Sequence, residues 1–522
     1  MAKQYSESLT RYQLPQFDAK WGALRRGIEK ESLRVSPAGR ISQASHPLAL
    51  GSALTNPVIT TDFSEALLEF ITPVYSDIDE CLQKLENIHR FTLQNLDNDE
   101  MLWVNSMPCP CGSDDDIPIA QYGRSNIGKL KTLYRHGLSH RYGKLMQAIA
   151  GIHYNFSMPE AFWLPYQQLS GHHGSLKDFI SERYLHLIRN FHRNSWLLIY
   201  LFGASPAACK CFVRGREHGL KELDENSLYL PYATCLRMGN LGYRSEAQKS
   251  LFVCYNELDS YIDCLDKAMH TSYSDYEKIG RKKNGEYLQI NTNLLQLANE
   301  FYSTIRPKRI GRNGERPLRA LANHGIEYIE VRLLDLNPYL PLGIDAEQMR
   351  FLDTFLLHCL LSESPHCDER EFFAVSKNIA GVVERGRDPG LVLSLDGTDK
   401  PMREWADALL TDLEHSAAIL DHVRGAGHHQ SSLSRQAEKL KHPDLTPSGK
   451  ILKEMQDNHL SFFEFSMQQS RLHSRYLRDN GLDSKIIEEF RATSASSLRD
   501  QQEIEEADTM PFSQFLDNWN AS

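Results

Sequence analysis

The chain has 522 residues, of which 41% are hydrophobic and 24% charged, as in ordinary globular proteins. Its net charge of −10 argues against nucleic-acid binding and against binding to anionic membranes, because both favour basic surfaces. No apolar run approaches the roughly 20 residues of a transmembrane helix, and the polar N-terminus lacks the apolar segment of a secretory signal. We therefore expect a cytoplasmic protein that binds neither nucleic acid nor membrane.

The ten cysteines are spread along the chain. Two pairs have C-x-C spacing, Cys109 with Cys111 and Cys209 with Cys211. Structural zinc sites usually place two to four residues between paired cysteines. We therefore expect ordinary reduced thiols.

Extended and helical patterns alternate through the first two hundred residues. Residues 25–45 predict two strands around the turn "SPAGR", and residues 65–73 and 151–159 each predict a further strand. Residues 77–97 have the apolar spacing of a helix. The long apolar segment 178–202 predicts one buried helix.

The middle of the chain changes from helix to strand. Apolar residues at steps of three and four predict a helix within 246–269. Two Asn-Gly pairs, at 284–285 and 313–314, indicate turns between extended runs. Residues 324–338 have the strongest strand pattern in the chain.

The remainder of the sequence is mainly helical. Asp345 caps a helix expected over 346–361, and an apolar stripe that includes Trp405 predicts another. Residues 425–434 predict a loop, and the polar segment 482–519 predicts helix. Strands separated by helices and hairpin turns indicate an α+β fold on an antiparallel sheet.

Acidic residues occupy strand positions whose neighbours belong to a core. In "RRGIEKESLRVS", Glu29 and Glu31 share a face with apolar residues, because side chains alternate along a strand. Glu69 lies between apolar neighbours, and Glu330 shares a face with Arg332. A solvated face explains the first pair equally well, and an ion pair explains the last.

Two further segments also place a polar residue among apolar neighbours, and these residues are Asp62 and His153. A lone histidine on a strand is more often a hydrogen-bonded core residue than a ligand. Together, however, five carboxylates and one histidine need a cation if they are buried. Oxygen ligands favour Mg²⁺ or Mn²⁺, which commonly hold nucleotide phosphates, and Arg332 would neutralise a transferring phosphoryl group.

The segment "GRSNIGKL" has the G-x-x-x-x-G-K spacing of a phosphate-binding loop. Leu130 stands where that motif requires a magnesium-binding Ser or Thr, and the preceding segment is a poor buried strand. A true phosphate-binding loop is therefore not expected. A nucleotide site here would be of the carboxylate–magnesium type on a sheet.

Three further segments combine tyrosines with arginines: "KTLYRHGLSHRYG", "LPYATCLRMGNLGY" and "NEFYSTIRPKR". Arginine can bind a carboxylate through two hydrogen bonds, and tyrosine can shape a small pocket. Basic surface loops with packing tyrosines explain each segment equally well.

Long blocks of the sequence occur in the order of a known family. They include "RGIEKESLRV", "HPLALGSALTNPVITTDFSEALLEFITP", "YLPYATCLRMGNLGY" and "GIEYIEVRLLDLNP", and they run over about residues 22–345. The terminal "EEADTMPFSQFL" also matches, whereas residues 366–480 match weakly. In these blocks the chain closely resembles the proteobacterial glutamate–cysteine ligases.

The resemblance implies one large catalytic domain over residues 1–522, with a sheet-forming core at about 22–345 and a mainly helical region at 346–522. The implied fold is an antiparallel β-sheet funnel of the glutamine synthetase and guanidino kinase type, surrounded by helices. The implied reaction joins the L-glutamate γ-carboxylate to the L-cysteine amine through γ-glutamyl phosphate, with ATP as co-substrate. Glutathione is the expected feedback inhibitor.

The resemblance also assigns residues. The magnesium ligands it implies are Glu29, Glu31, Asp62, Glu69, His153 and Glu330. Arg332 faces the transferred phosphate and, with Glu330, forms the implied catalytic set. The implied cysteine pocket consists of Phe63, Tyr134, Gln147, Arg237, Tyr243 and Tyr302.

Three alternatives stay open at this point. One is a ligase that uses another amine, the second is a Mg²⁺-dependent phosphohydrolase, and the third is a non-enzymatic relative that keeps the sheet for interactions. The ordered tyrosine–arginine blocks favour the cysteine-using ligase. The complete ligand set argues against the non-enzymatic relative.

Overall fold

The computed structural model describes residues 2–14, 23–97, 99–109, 112–242, 246–249, 251–311, 315–395 and 397–521. The strands are β1 Arg25–Val35, β2 Ile59–Thr61, β3 Leu67–Ile71, β4 Met101–Leu102, β5 Ile152–Ser157, β6 Ala207–Cys209, β7 Lys221–Glu222, β8 Ser227–Tyr229, β9 Lys282–Lys283, β10 Glu286–Tyr287, β11 Ile305–Lys308, β12 Tyr328–Leu334, β13 Val392–Leu395 and β14 Thr398–Pro401.

The helices begin with α1 Ala2–Arg11, α2 Ile78–Gln94, α3 Asn126–Tyr142, α4 Lys144–Gln147, α5 Glu160–Leu169, α6 Leu176–Asn194, α7 Trp196–Phe202, α8 Leu258–His270 and α9 Ser274–Ile279. They continue with α10 Pro317–His324, α11 Ala346–Leu361, α12 Glu369–Arg385, α13 Met402–Arg424, α14 His428–Lys441, α15 Pro447–Asp457, α16 Phe462–Asp479, α17 Ser484–Ala507 and α18 Phe512–Ala521. No helix within the described ranges is long and apolar enough to cross a membrane.

The main sheet is antiparallel throughout. Its strand order is β11-β12-β5-β1-β3-β2, and β4 pairs with the end of β1. This architecture confirms an α+β fold on an antiparallel sheet with a mainly helical C-terminal region. The alternation of side chains gives the sheet an apolar back face and a polar front face.

The back face belongs to the core. Ile28, Ile152, Tyr154 and Ile329 are all buried, and α2, α6 and α7 pack against the sheet. The Tyr154 hydroxyl donates to Asp353 Oδ1 of α11 at 2.7 Å, and the buried Arg26 guanidinium pairs with the same carboxylate. These buried polar contacts attach α11 to the sheet.

Several predicted elements are confirmed. The strands around residues 25–35, 65–73, 151–159 and 324–338 are present, although the second strand of the first pair is reduced to one bridge at Ile41. The helices predicted at 77–97, 346–361 and 482–519 are also present. Asp345 Oδ1 accepts the backbone N–H of Gln348 at 2.8 Å, as a capping residue should.

The Asn284-Gly285 turn joins β9 to β10. Both residues have positive φ, 53° and 89°, which is the conformation of a two-residue hairpin turn. The second Asn-Gly pair, at 313–314, lies outside the described residues. The hairpin of β13 and β14 has no counterpart in the sequence analysis.

Two helix predictions were wrong in extent. The segment 178–202 forms two consecutive helices, α6 and α7, that meet at Ser195. Within 246–269, only the part from Leu258 onward is α-helical, and Leu251 and Tyr255 lie before it. These two residues lie in a non-helical segment and line a cavity. Their helix-like spacing is therefore a coincidence.

The loop predicted at 425–434 was also wrong, because α14 begins at His428. Gly425 and Gly427 have positive φ, 80° and 64°, and make the short turn from α13. Asp421 on α13 accepts the backbone N–H groups of His429 and Gln430 at 2.8 and 2.9 Å. A carboxylate from the preceding helix thus caps α14.

The expectation that all cysteines are reduced was wrong for one pair. Cys109 and Cys209 form a disulfide, with Cα atoms 6.1 Å apart. The partners are 100 residues apart in sequence, so no spacing rule could have paired them. Cys111 lies outside the described residues.

The capping role of Asp421 predicts a pH-dependent loss of stability. Burial opposes its charge, but hydrogen bonds from His429 and Gln430 hold its pKa below the ordinary value. Its contribution is therefore complete at pH 7 and is lost as the pH falls through the lowered pKa. We expect Asp421→Asn to reduce the free energy of unfolding by about 1–2 kcal/mol at pH 7, as measured by urea denaturation.

Asp407→Asn, an exposed position on the same helix, is the matched control and should change little. The difference between Asp421→Asn and the natural protein should shrink as the pH falls from about 4, the ordinary pKa of an aspartate, through the lowered pKa of Asp421. Equal stability of both proteins at pH 7 would contradict the capping role.

Candidate active site

Strand register brings the acidic residues together on the front face of the main sheet. Glu29 lies opposite His153, and Glu31 lies opposite Glu69. Paired residues in an antiparallel sheet share a face, so these four side chains point the same way. Glu330 lies opposite Asn155 on the next strand pair and joins them.

Glu29 is held by donors from β5. Asn155 Nδ2 donates to Glu29 Oε1 at 2.9 Å, and His153 Nδ1 lies 3.1 Å from Glu29 Oε2. Burial opposes ionisation of Glu29, but the hydrogen bond from His153 and the charge of Lys308 hold its pKa below the ordinary value. Burial and the nearby Arg332 lower the pKa of His153, so that the neutral imidazole is favoured.

Glu330 lies among cations. Lys308 Nζ is 3.3 Å from Glu330 Oε1, and Arg332 Nη1 is 3.2 Å from Glu330 Oε2. Burial opposes the charge, but Lys308, Arg332 and His153 together hold the pKa of Glu330 well below the ordinary value. Arg332 is 23% exposed, so its guanidinium pairs with Glu330 and remains accessible to a ligand.

Too few positively charged side chains lie near Glu31 and Glu69 to balance the negative charge of the carboxylates there. Burial and the Asp62 charge raise the pKa of Glu31 to about 8, although Gly151 donates its backbone N–H to Glu31 Oε2 at 2.6 Å. Burial and the charges of Glu29 and Asp62 raise the pKa of Glu69 well above the ordinary value. The crowded carboxylates therefore repel one another on this side of the face.

The donor set fits a divalent cation. Ligand atoms of Glu29, Glu69 and His153 all lie within 4.8 Å of one another. His153 Nε2 lies 3.8 Å from Glu31 Oε1. In the tautomer with the proton on Nδ1, Nε2 carries a lone pair, and two electron-pair donors at that distance are favourable with a cation bound between them. Carboxylate oxygens are ligands that Mg²⁺ and Mn²⁺ prefer.

Lys30 takes no part in this cluster. Its Nζ lies on the back face, 2.7 Å from Ser32 Oγ and 2.9 Å from His89 Nε2. Burial lowers the pKa of Lys30 to about 7. The predicted register of β1, with Glu29 and Glu31 on one side and Lys30 on the other, is confirmed.

Residues of the expected cysteine pocket surround one end of this face. Gln147 Nε2 donates to the Tyr302 hydroxyl at 2.9 Å, and Arg237 is buried close to Gly151. Phe63 is buried next to Asp62, and Tyr134 lies on α3. Tyr243, which completes the expected set, lies outside the described residues.

A cavity of 390 Å³ opens at the same end of the face. His153, Arg237, Tyr302 and Arg332 line it, together with apolar side chains such as Phe301. The cavity therefore joins the acidic cluster to the tyrosine–arginine segments. A small zwitterion could be enclosed there with its charges paired.

The sequence reasoning missed supporting residues. Asp335 is buried and accepts from Arg237 Nε at 2.7 Å and from the Ser205 hydroxyl at 2.6 Å, which fixes the guanidinium. In the sequence, nothing except its closeness to Arg332 indicated that Asp335, just after β12, belongs to the site. Lys308 and Asn155 had a signal, because each shares a strand face with a residue of the expected set.

A polar sheet face beside an open cavity is typical of an enzyme that handles a charged small molecule. Comparison with known proteins narrows this class. A family model described as glutamate-cysteine ligase matches residues 12–382. The chain belongs to the glutamate–cysteine ligase family.

Relatives match over nearly the whole chain. A glutamate–cysteine ligase of Pseudomonas fluorescens is 51% identical over 496 residues, which cover 95% of this chain and 93% of that protein. One from Azotobacter vinelandii is 50% identical over 499 residues, which cover 95% of this chain and 94% of the relative.

Two solved structures are similar. A glutamate–cysteine ligase of Francisella tularensis in complex with AMP has a TM-score of 0.90 and 34% identity, covering 95% of this chain and 97% of that one. A bifunctional glutathione synthetase of Pasteurella multocida has a TM-score of 0.70 and 22% identity, covering 94% of this chain and 57% of that one. The second likeness shows the fold alone.

The geometry of the acidic cluster predicts how Mn²⁺ binding responds to substitution. We expect Glu69→Gln to weaken Mn²⁺ binding by about tenfold or more, because it removes one of the converging ligand atoms. Isothermal titration calorimetry measures the affinity. Glu160→Gln, at a fully exposed glutamate, is the control and should bind Mn²⁺ as the natural protein does. Unchanged affinity in Glu69→Gln would remove Glu69 from the ligand set.

Proposed function

We propose that the protein joins the γ-carboxylate of L-glutamate to the amine of L-cysteine, with ATP converted to ADP and phosphate. The product would be γ-glutamylcysteine, the first intermediate of glutathione biosynthesis. The observation that carries this proposal is the position of His153, which belongs to the acidic cluster and lines the same cavity as Arg237 and Tyr302. Membership of the ligase family supports the same reaction.

The main sheet would form the antiparallel β funnel that the resemblance implies, within one catalytic domain. Its front face would be the inner surface, and the helices on the back face would be the outer layer. The unbroken order of paired strands from β11 to β2 supports this arrangement.

Mg²⁺ or Mn²⁺ would be held by Glu29, Glu31, Asp62, Glu69, His153 and Glu330. Bound there, the cation neutralises charge on the ATP phosphates. A carboxylate is a poor acylating group, so the γ-carboxylate must first be phosphorylated to an acyl phosphate. Arg332 would stabilise charge on the transferred phosphoryl group, because its guanidinium lies beside Glu330 and the cavity.

The amino-acid substrates would occupy the cavity end of the face. Arg237, fixed by Asp335, suits an α-carboxylate, and Tyr302 with Gln147 suits the polar atoms of cysteine. The cysteine amine then attacks the acyl phosphate and phosphate leaves. Enclosure of this cavity would limit hydrolysis of the intermediate.

The nucleotide phosphates would approach from the opposite end of the face, near Lys308. That lysine is partly exposed and pairs across the strands with Tyr328. Glu330 lies between Lys308 and the cavity. The AMP bound in the Francisella tularensis relative supports nucleotide binding in this family. Glutathione, which contains both amino-acid units, would compete for the cavity, and the enzyme would act in the cytoplasm.

ADP release from Mg-ATP tests the proposed reaction. We expect strong release only when glutamate and cysteine are both present, because the amine must trap the acyl phosphate. Release without amino acids would instead indicate a phosphohydrolase. Release with another amine but not with cysteine would indicate a different carboxylate–amine ligase.

Substitution of the cluster should remove activity without unfolding the protein. We expect Glu29→Gln and Glu330→Gln each to lower kcat/KM by about a thousandfold, because cation binding and phosphate charge neutralisation are lost. Circular dichroism should remain that of the natural protein. Glu160→Gln is again the matched control, and near-normal turnover in either cluster variant would exclude that residue from the site.

A further inference from the structure

Two segments of the sequence have no role in the site described so far. They are "GRSNIGKL", which has the spacing of a phosphate-binding loop, and the terminal "EEADTMPFSQFL". The structure places these two segments in contact. Asp508 Oδ1 accepts from Asn126 Nδ2 at 2.6 Å, and Asp508 Oδ2 accepts the Asn126 backbone N–H. The Met510 carbonyl also accepts from Asn126 Nδ2, at 2.8 Å. The start of α3 is therefore covered by the protein's own carboxylate.

The segment 508–521, here called the C-terminal arm, continues along α3. Leu516 of α18 is fully buried in a small apolar cluster with Leu130 and Leu133 of α3 and with Ile290. Asn520 Nδ2 donates to the Ile290 carbonyl at 3.2 Å. The arm thus packs on α3 and on the 281–297 segment at once.

Polar and aromatic contacts fix the arm at its other side. Arg281 Nη2 pairs with Asp517 Oδ1 at 3.0 Å, and the Arg316 guanidinium lies 4.2 Å from the centre of the Trp519 ring. The Phe512 ring meets the Tyr287 ring edge-on at 5.8 Å. Contacts on two separate segments give the arm a defined position.

The same helix, α3, reaches the amine end of the proposed site. Tyr134 packs against the arm's apolar cluster and belongs to the expected cysteine pocket. Arg135 donates from Nε to the Asp62 carbonyl, and its guanidinium lies 4.4 Å from the centre of the Tyr122 ring. One face of α3 is thus in contact with the C-terminal arm, while Tyr134 and Arg135 connect the helix to the proposed site.

Close packing connects α3 to the 281–297 segment. The α3 backbone at Gly137 lies directly against Gln296, so that a side chain added there would overlap the Gln296 amide. Gln296 in turn accepts the Ile290 backbone N–H at 3.0 Å. A shift of α3 would therefore move Tyr134 relative to the sheet.

We propose that the C-terminal arm is a positioning element of the amine-substrate pocket. Asp508 and Leu516 act through α3 on Tyr134 and touch no substrate themselves. This inference rests on the proposed ligase function. Loss of the arm's contacts should weaken binding of cysteine while it leaves the nucleotide end of the sheet intact, since Lys308 and Glu330 lie outside these contacts.

The test compares steady-state kinetics of Asp508→Asn and Leu516→Ala in the full chain, with ADP release as the readout. We expect KM for cysteine to rise about tenfold in each variant, with kcat within about threefold and KM for ATP within about twofold. Leu516→Met, which preserves apolar volume, should restore KM for cysteine to near the natural value. Glu503→Gln, at an exposed position just before the arm, is the matched control.

Three results would overturn the inference. The first is an unchanged KM for cysteine in folded Asp508→Asn and Leu516→Ala. The second is an equal rise of KM for cysteine and KM for ATP, and the third is a loss of active enzyme with no change in either KM, both of which indicate general destabilisation. A natural protein that shows no response to cysteine would overturn the proposed function and this inference together.

Discussion

The site depends on one electrostatic constraint, the crowding of carboxylates on a buried sheet face. Register places Glu31 opposite Glu69 and leaves neither with enough positive charge. An apolar core would tolerate no such arrangement, because an unpaired buried charge costs far more than one hydrogen bond returns. The charge balance of the face therefore favours a positively charged ligand, and the apolar residues buried behind the face stabilise the fold.

The cations of the site are divided between its two sides. Lys308 and Arg332 lie by Glu330, and the opposite side around Asp62 and Glu69 has mainly acids. Such a gradient orients a ligand whose charge is uneven along its length. A nucleotide phosphate and a metal ion, which have opposite charges, would each find the appropriate side.

The sequence predicted the sheet and its front face well for a physical reason. Alternation along β1 is local, so the side on which Glu29 lies could be read without knowing its neighbours. The cross-strand pairing of Glu29 with His153 could not be read in this way, and the family resemblance implied only that both belong to one ligand set. The sequence analysis missed the disulfide and the cap at Asp421 for the same reason, since both are contacts that form only in the folded chain.

The cavity shows a further limit of pattern reading. Leu251 and Tyr255 have helical spacing but lie before α8, where both line the cavity and also pack with the hydrophobic core. The same apolar residue can belong to a core and to the wall of a ligand site, and spacing alone does not show this.

The order of strands in the main sheet has a consequence for how the protein folds. Its centre pairs β1 with β5 and β5 with β12, which combines residues 25–35, 152–157 and 328–334. Such distant pairings require costly loop closure and form slowly. We therefore expect the acidic face to assemble late in folding, and a chain interrupted between β5 and β12 lacks the Glu330 side of the site.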